Sequence, residues 1–514
     1  MKRCLTVCAA VILSLSTLLA QAPAKEKEES AAKEEKPSAI PQERTQITHH
    51  ELSLDGKTYK YTATAGTLLI DNDDAKPYGS IFYVAYTLDG VGDMRTRPVT
   101  FLYNGGPGSA SVWLHMGSVG PIRIATASPN ATGAPPYELV PNQYSLLDKS
   151  DLVFIDAPCT GFSRAVGKAT EKDFAGTDQD VKAFDKFITR YVTVNQRWNS
   201  PKFLFGESYG TTRSAALVDA LENDGMSFNG VILMSTILNY FVRSPGMDNE
   251  FIGYLPTYAA IAWYHNKIPN KPADVKGFLE EARNFARGEY AEALSLGDKL
   301  PAARVDAIAA KLSSYTGLSV EYLKEANLRV NQSRFRKELL RTDREILGRY
   351  DARFEGTDVD AVSETPGYDP SSTGITGAFI SSFHDYLTKE LKFVTADTYF
   401  PRGPNLNQVW DQTHHASGIQ QPLREPYVAG DLADAIRKNP KLRVFSVNGL
   451  FDLATPFFIT EFDLSHMQLE QKLRQNVEFA YYPSGHMIYL NVDALKQLKT
   501  DLAAFYKSAA NFSM

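Results

Sequence analysis

The sequence predicts an α/β fold, a central mostly parallel sheet flanked by helices, and three observations carry that reading. Short runs rich in Val, Ile, Phe and Tyr recur, helical periodicity fills several gaps between them, and two late apolar runs are accompanied by helix-like stretches. The early runs are 79–88, 99–103, 152–155, 202–205 and 231–234, with helical patterns over 178–191 and 212–221. The late runs, 442–447 and 477–482, with helix-like 456–473 and 492–506, read as the final strands of the same sheet. Between the two groups the pattern changes to helical stretches over 273–294, 301–313 and 334–347, followed by a loop-rich tract containing Pro366-Gly367 and Pro401-Arg402-Gly403-Pro404. We read 241–437 as an inserted, largely helical cap domain between core segments 47–240 and 438–514. A separate tandem domain would leave the late strands without a sheet to join.

The N-terminus reads as an export signal. Lys2 and Arg3 precede an apolar stretch from about Leu5 to Ala20, and the overlapping Ala20-Gln21-Ala22 and Ala22-Pro23-Ala24 are processing sites, with cleavage expected after Ala24. The apolar stretch is short and has small residues behind it, so no stable membrane insertion is expected after signal cleavage, and the destination is periplasmic or extracellular. Residues 25–46, rich in Glu and Lys, are expected to form a disordered charged leader. Of 514 residues 43% are hydrophobic and 22% charged, which allows an ample core. A formal net charge of -6 without a basic block excludes nucleic acid as a partner. Cys4 and Cys8 fall in the signal, leaving Cys159 with no intramolecular disulfide partner and best read as a small buried thiol.

The chemistry is concentrated in loops that follow strand-like runs. Gly206-Glu207-Ser208-Tyr209-Gly210 directly follows 202–205 and has the Gly-x-Ser-x-Gly form of a strand-to-helix turn that lifts a serine above a sheet edge. A serine hydroxyl is a weak nucleophile and needs a base, an acid to orient the base, and donors for the developing oxyanion. Asp452, in Asn448 to Pro456, and His486, in Pro483-Ser484-Gly485-His486-Met487, follow the two late strands in the order Ser, acid, His of α/β-hydrolases. Asp463 is a rival acid, disfavoured because it lies in a helix-like stretch. Asn104-Gly105-Gly106-Pro107-Gly108 follows 99–103, where backbone N–H groups can approach an oxyanion, and it lacks the Lys-Ser/Thr ending of a nucleotide loop. His49-His50 and His414-His415 look like chelating pairs but have no third ligand at a metal-site spacing, so neither metal nor cofactor is expected.

Taken together, NGGPGS at 104–109, FIDAPCTGFS at 154–163, GESYG at 206–210, the aspartate block 449–456 and Gly485-His486-Met487 resemble, in order, the blocks of the serine carboxypeptidases. The resemblance implies an α/β-hydrolase fold acting on peptide substrates, with Ser208 as nucleophile, His486 as general base and Asp452 as its orienting acid. It implies the N–H groups of Gly106 and Tyr209 as oxyanion hole, and Asn104, Gly105 and Glu207 as the site for the substrate's C-terminal carboxylate. A glutamate bonds a carboxylate only when protonated, a state that burial favours. The chain departs from the family pattern at Leu102, where the family has tryptophan, at Ser118, where it has a second glutamate, and in a loop around Cys159 that is one residue shorter. The family's disulfides are absent. Relatives that are acyltransferases or a lyase keep those reactions open on the same fold, an esterase is open likewise, and a degenerate binding protein is the reading outside enzymes.

Overall fold

The computed structural model describes residues 38–510, so the expected signal lies outside the described residues. The principal elements in chain order are β1 (Thr45–Leu54), β2 (Lys57–Asp71), β3 (Pro77–Leu88), β4 (Val99–Tyr103), α1 (Val112–Gly117), β5 (Asp151–Ile155), α2 (Thr177–Val194), β6 (Lys202–Glu207), α3 (Tyr209–Asn223) and β7 (Gly230–Met234). Then come α4 (Asn249–Tyr264), α5 (Val275–Phe285), α6 (Ala302–Thr316), α7 (Gln332–Glu338), α8 (Pro370–Lys389), α9 (Ala429–Lys438), β8 (Arg443–Gly449), α10 (Phe457–Ser465), β9 (Val477–Tyr482) and α11 (Val492–Ala509).

The strands lie in the order β1-β2-β3-β5-β4-β6-β7-β8-β9. Pairing is antiparallel from β1 to β5 and parallel from β5 to β9. Every run read as a strand in the sequence is present, and β7 is joined directly to β8 across the long insertion. Residues alternate between the sheet faces, so both faces need cover. Leu102, Phe154, Phe203, Phe205 and Phe445 pack with α8 and α11, whereas Phe101, Tyr103, Val153, Leu204 and Val444 pack with α2, α3 and α9.

The inserted helices α4 to α7 bury a third apolar cluster, which includes Phe451 and Leu453 on either side of Asp452. The insertion therefore grips the loop that carries the expected acid. Tyr254 Oη donates to Leu453 O (3.1 Å) and Arg243 Nη2 to Ala454 O (2.8 Å).

Several sequence expectations are corrected. The pattern over 273–294 is interrupted after α5 by a π-turn at Ala286–Tyr290, where Gly288 leaves helical geometry (φ -105, ψ -105). The pattern over 334–347 ends as helix at Glu338; Arg344 is left-handed (φ 60), and Glu345–Leu347 pairs as a strand with Glu355–Thr357. The tract read as loop-rich contains α8, with 20 residues the longest helix described. Strand β1 begins at Thr45, within the stretch read as leader, where Glu43 Oε1 already accepts from Leu69 N (2.8 Å).

Candidate active site

Four of the parallel strands end on one edge and there release the loops that carry the expected site residues, the usual position for a site in such a sheet. Between the end of β6 and the start of α3, Ser208 adopts φ 62 and ψ -130. A left-handed serine is strained by about 1–3 kcal/mol and persists only where its surroundings fix it. Here Ser208 N donates to Met234 O (2.9 Å) and Ser208 O accepts from Thr211 N (2.8 Å). A Cβ on Gly206 would come within 2.1 Å of Gly210 O, and one on Gly105 within 2.4 Å of Tyr209 N. The turn and the loop after β4 thus meet backbone to backbone, and both glycines are obligatory.

His486 and Asp452 are nearly inaccessible and lie 2.7 Å apart, Nδ1 to Oδ2. Asp452 is an acceptor only, so Nδ1 carries the shared proton and Nε2 is left as an acceptor. The carboxylate also accepts from Ala454 N (2.7 Å), Thr455 N (3.0 Å) and Thr455 Oγ1 (2.7 Å), and Thr455 Oγ1 lies 3.1 Å from His486 Nδ1. The imidazole is held by its backbone as well, with His486 N donating to Tyr350 O (2.6 Å) and Ser235 Oγ to His486 O (2.6 Å). Burial lowers the affinity of His486 for a proton, but the Asp452 charge and hydrogen bond, with help from Glu207, leave it raised above the ordinary histidine value. Asp463 makes no such contact: it sits on α10 beside Asn239, and burial pushes it up to about 7.

Ser208, partly exposed, shares one cavity with His486, Asn104, Gly105, Gly106 and Glu207. Among the described residues the Ser208 hydroxyl makes no hydrogen bond, and neither do the N–H groups of Gly106 and Tyr209. Tyr209 opens α3, whose first amides have no partner within the helix. A free Gly106 N–H and an unengaged hydroxyl on one cavity, with the free Tyr209 N–H next in sequence to Ser208, suit acyl transfer, and catalytic hydrogen bonds often tighten only with substrate present.

Glu207 is 3% exposed, and burial pushes its carboxyl up to about 7, partly offset by the charge of His486 and by the Tyr489 and Asn104 side chains. Tyr489 Oη donates to Glu207 Oε2 (2.9 Å). Asn104 Oδ1 accepts from Leu114 N (2.8 Å), and Arg213 Nη1 donates to Asn104 O (2.9 Å) from a buried pair with Asp180 (2.7 Å). Ser118 turns away, its Oγ bonding Leu114 O. The histidine pairs lie elsewhere: His49 and His50 are on β1 bonding Thr62 and Thr48, and His414 and His415 share Asp178. Cys159 is buried and its thiol is pushed up to about 12, an unreactive state.

Sequence reasoning missed Thr455, Tyr489, Trp113 and Arg402, of which the last two also line the cavity. Thr455 had a signal, since an Asp-x-x-Thr turn bonds its own backbone. Tyr489 and Arg402 had none.

The serine carboxypeptidase family model matches residues 59–296. Among curated relatives, the pheromone-processing carboxypeptidase KEX1 of Cryptococcus gattii is 32% identical over 152 residues, which is 29% of this chain and 20% of that protein. The Saccharomyces cerevisiae protein of the same name is 31% identical over 156 residues, 28% of this chain and 20% of the relative. These matches therefore span about a fifth of each relative's length. The crystal structure of KEX1(delta)P, a prohormone-processing carboxypeptidase from Saccharomyces cerevisiae, superimposes with a TM-score of 0.51 at 15% identity, covering 91% of this chain and 94% of that one. At that identity the likeness establishes the shared α/β-hydrolase fold.

Proposed function

We propose that the chain, which matches the serine carboxypeptidase family model over residues 59–296, acts as a member of that family and releases C-terminal amino acids from peptides through an acyl-enzyme on Ser208. The observation that carries this reading is one cavity lined by Ser208, by a histidine bonded to a buried aspartate, and by a buried glutamate raised into the neutral range. Ser208 Oγ attacks the scissile carbonyl carbon while His486 Nε2 takes its proton, and the N–H groups of Gly106 and Tyr209 receive the oxyanion. Asp452 holds the imidazole in the required tautomer and stabilises the imidazolium. The C–N bond then breaks, His486 returns the proton to the departing amine, and water repeats the sequence to free Ser208. Neutral Glu207, the Asn104 amide and Gly105 N–H hold the terminal carboxylate.

Export is part of the proposal and rests on residues 1–24. No helix among the described residues is long and apolar enough to cross a membrane. The test is a set of N-blocked dipeptides with free and amidated C-termini, read as released amino acid or amide at pH 6. We expect kcat/KM to favour the free acid by tenfold or more. Equal rates would transfer the assignment to an esterase or endopeptidase on the same residues.

A further inference from the structure

Residues 400–414 form a strap beside the cavity, and the chemistry above makes no use of it. It is pinned to separate parts of the core. Phe400 exchanges two backbone hydrogen bonds with Gly161 (2.7 and 3.0 Å), Ala110 N donates to Pro401 O (3.1 Å), and Gly403 N donates to Gly108 O (2.9 Å). Arg402 thereby sits opposite Ser109 in a short antiparallel bridge to the oxyanion loop. Further on, the Trp410 ring meets the Tyr209 ring edge-on at 5.3 Å, and Asp411 bonds the backbone of Ala175 and Thr177. His414 is buried between Asp178 (2.6 Å) and Asp431 (3.1 Å), and these two carboxylates overcome its burial and raise it to about 9, so below that pH it is a fixed cation.

The strap contributes Arg402 and Asn407 to the cavity wall, and Arg402 is the only lysine or arginine among the described lining residues. Its side chain is exposed and, among the described residues, has neither a hydrogen bond nor a carboxylate partner. Arg97, Arg197, Arg213 and Arg353 each pair with an aspartate inside the fold. A rigid strap that presents an unpaired cation at the rim supplies a site for an anion. Glu207, by contrast, is buried at the floor. If the floor takes the terminal carboxylate, as proposed above, the rim is left for a second negative group.

We propose that Arg402 is a specificity-determining residue that pairs with an acidic side chain on one of the two substrate residues joined by the scissile bond. The preferred substrates are then peptides with Asp or Glu at that position. The pair forms at a partly solvated rim, so its effect is modest, about three- to tenfold in kcat/KM, and it weakens as salt is raised.

The experiment compares matched N-blocked dipeptides carrying Glu, Gln or Lys at either residue, with wild type, Arg402→Gln and Arg402→Glu. At one position wild type should favour Glu over Gln by about three- to tenfold, Arg402→Gln should bring that ratio near one, and Arg402→Glu should turn the preference towards Lys. Equal fluorophosphonate labelling of Ser208 in all three proteins checks that the variants are folded. No Glu preference in wild type, or one that survives both substitutions, overturns the proposal. So does a variant that loses discrimination between free and amidated C-termini while its Glu/Gln ratio stays intact, because Arg402 would then serve the terminal carboxylate. The ratio can also be read on amidated substrates, so a failure of the carboxypeptidase reading is distinguishable from a failure of this one.

Discussion

The two ends of the cavity are held in different ways. At the end proposed for acyl transfer, Asp452 accepts from two backbone amides, from Thr455 and from His486, and the neighbours of Asp452 are locked in the core of the insertion. At the end proposed for the substrate carboxylate, the central group is an acid pushed up to about 7 by burial, against which the Tyr489 and Asn104 side chains act. Geometry is settled at the first end by main chain and packing. At the second, on the proposed reading, the proton on one carboxyl decides whether a carboxylate ligand meets a donor or a like charge. Chemistry and recognition in this protein should therefore respond differently to pH and to substitution.

The largest expected effect breaks the first end. Ser208→Ala removes the nucleophile while leaving the turn, and turnover of a free-acid dipeptide should fall roughly a millionfold, as in serine hydrolases whose triad acts as a unit. Steady-state kinetics and the loss of fluorophosphonate labelling check it. A fall of only tenfold would mean that the imidazole–carboxylate pair serves something other than Ser208.

Glu207→Gln sharpens the contrast. Glu207 is pushed up to about 7, so in the wild type the donor is present below that pH and lost above it. At pH 8 about a tenth of the sites keep the proton, and KM for free-acid peptides should stand about tenfold above its value at pH 6. The amide of Gln donates at every pH, so the variant's KM should be flat across that interval, and amidated peptides should show no such rise with either protein. Removing the nearby negative charge also relaxes the upward pressure on His486, and the acid limb of kcat/KM should move to lower pH.

How far the sequence leads follows the same division. Strand runs, the Gly-Glu-Ser-Tyr-Gly turn and the late Asp and His are local patterns, and each occupies the place in the sheet that its pattern implied. Helix α8 was hidden because Gly374, Gly377 and several Ser and Thr weaken its propensity; burial of Phe379, Phe383 and Tyr386 in the core outweighs that. The capping pair Asp369-Pro370, where Asp369 Oδ1 accepts from Ser371 N (3.1 Å), was the available sign. Strand β1 escaped notice because its outward face is polar and Ile47 is exposed, leaving little apolar alternation. Tyr489 reaches Glu207 from 282 residues away, and Arg402 reaches the cavity from a strap without periodicity; only the fold brings either of them there.

The smallest expected effect separates orientation from packing at the carboxylate end. The Tyr489 ring lies over Gly117, where a Cβ would come within 2.5 Å of it, and its hydroxyl donates to Glu207 Oε2. Tyr489→Phe keeps the ring and removes the donor. The ionised form of Glu207 is the one that this donor favours; without it, burial and the Asp452 charge raise the carboxyl further, opposed by His486 and Asn104. The pH at which KM for free-acid peptides climbs should therefore move upward. Below that pH KM should rise a few-fold because the acid is no longer aimed, at a cost in stability of about 1 kcal/mol for the lost bond. A Tyr489 that only fills space would change melting temperature at most and leave the pH profile where it was. A displaced profile with near-normal turnover would instead identify Tyr489 as the residue that positions Glu207 for its ligand.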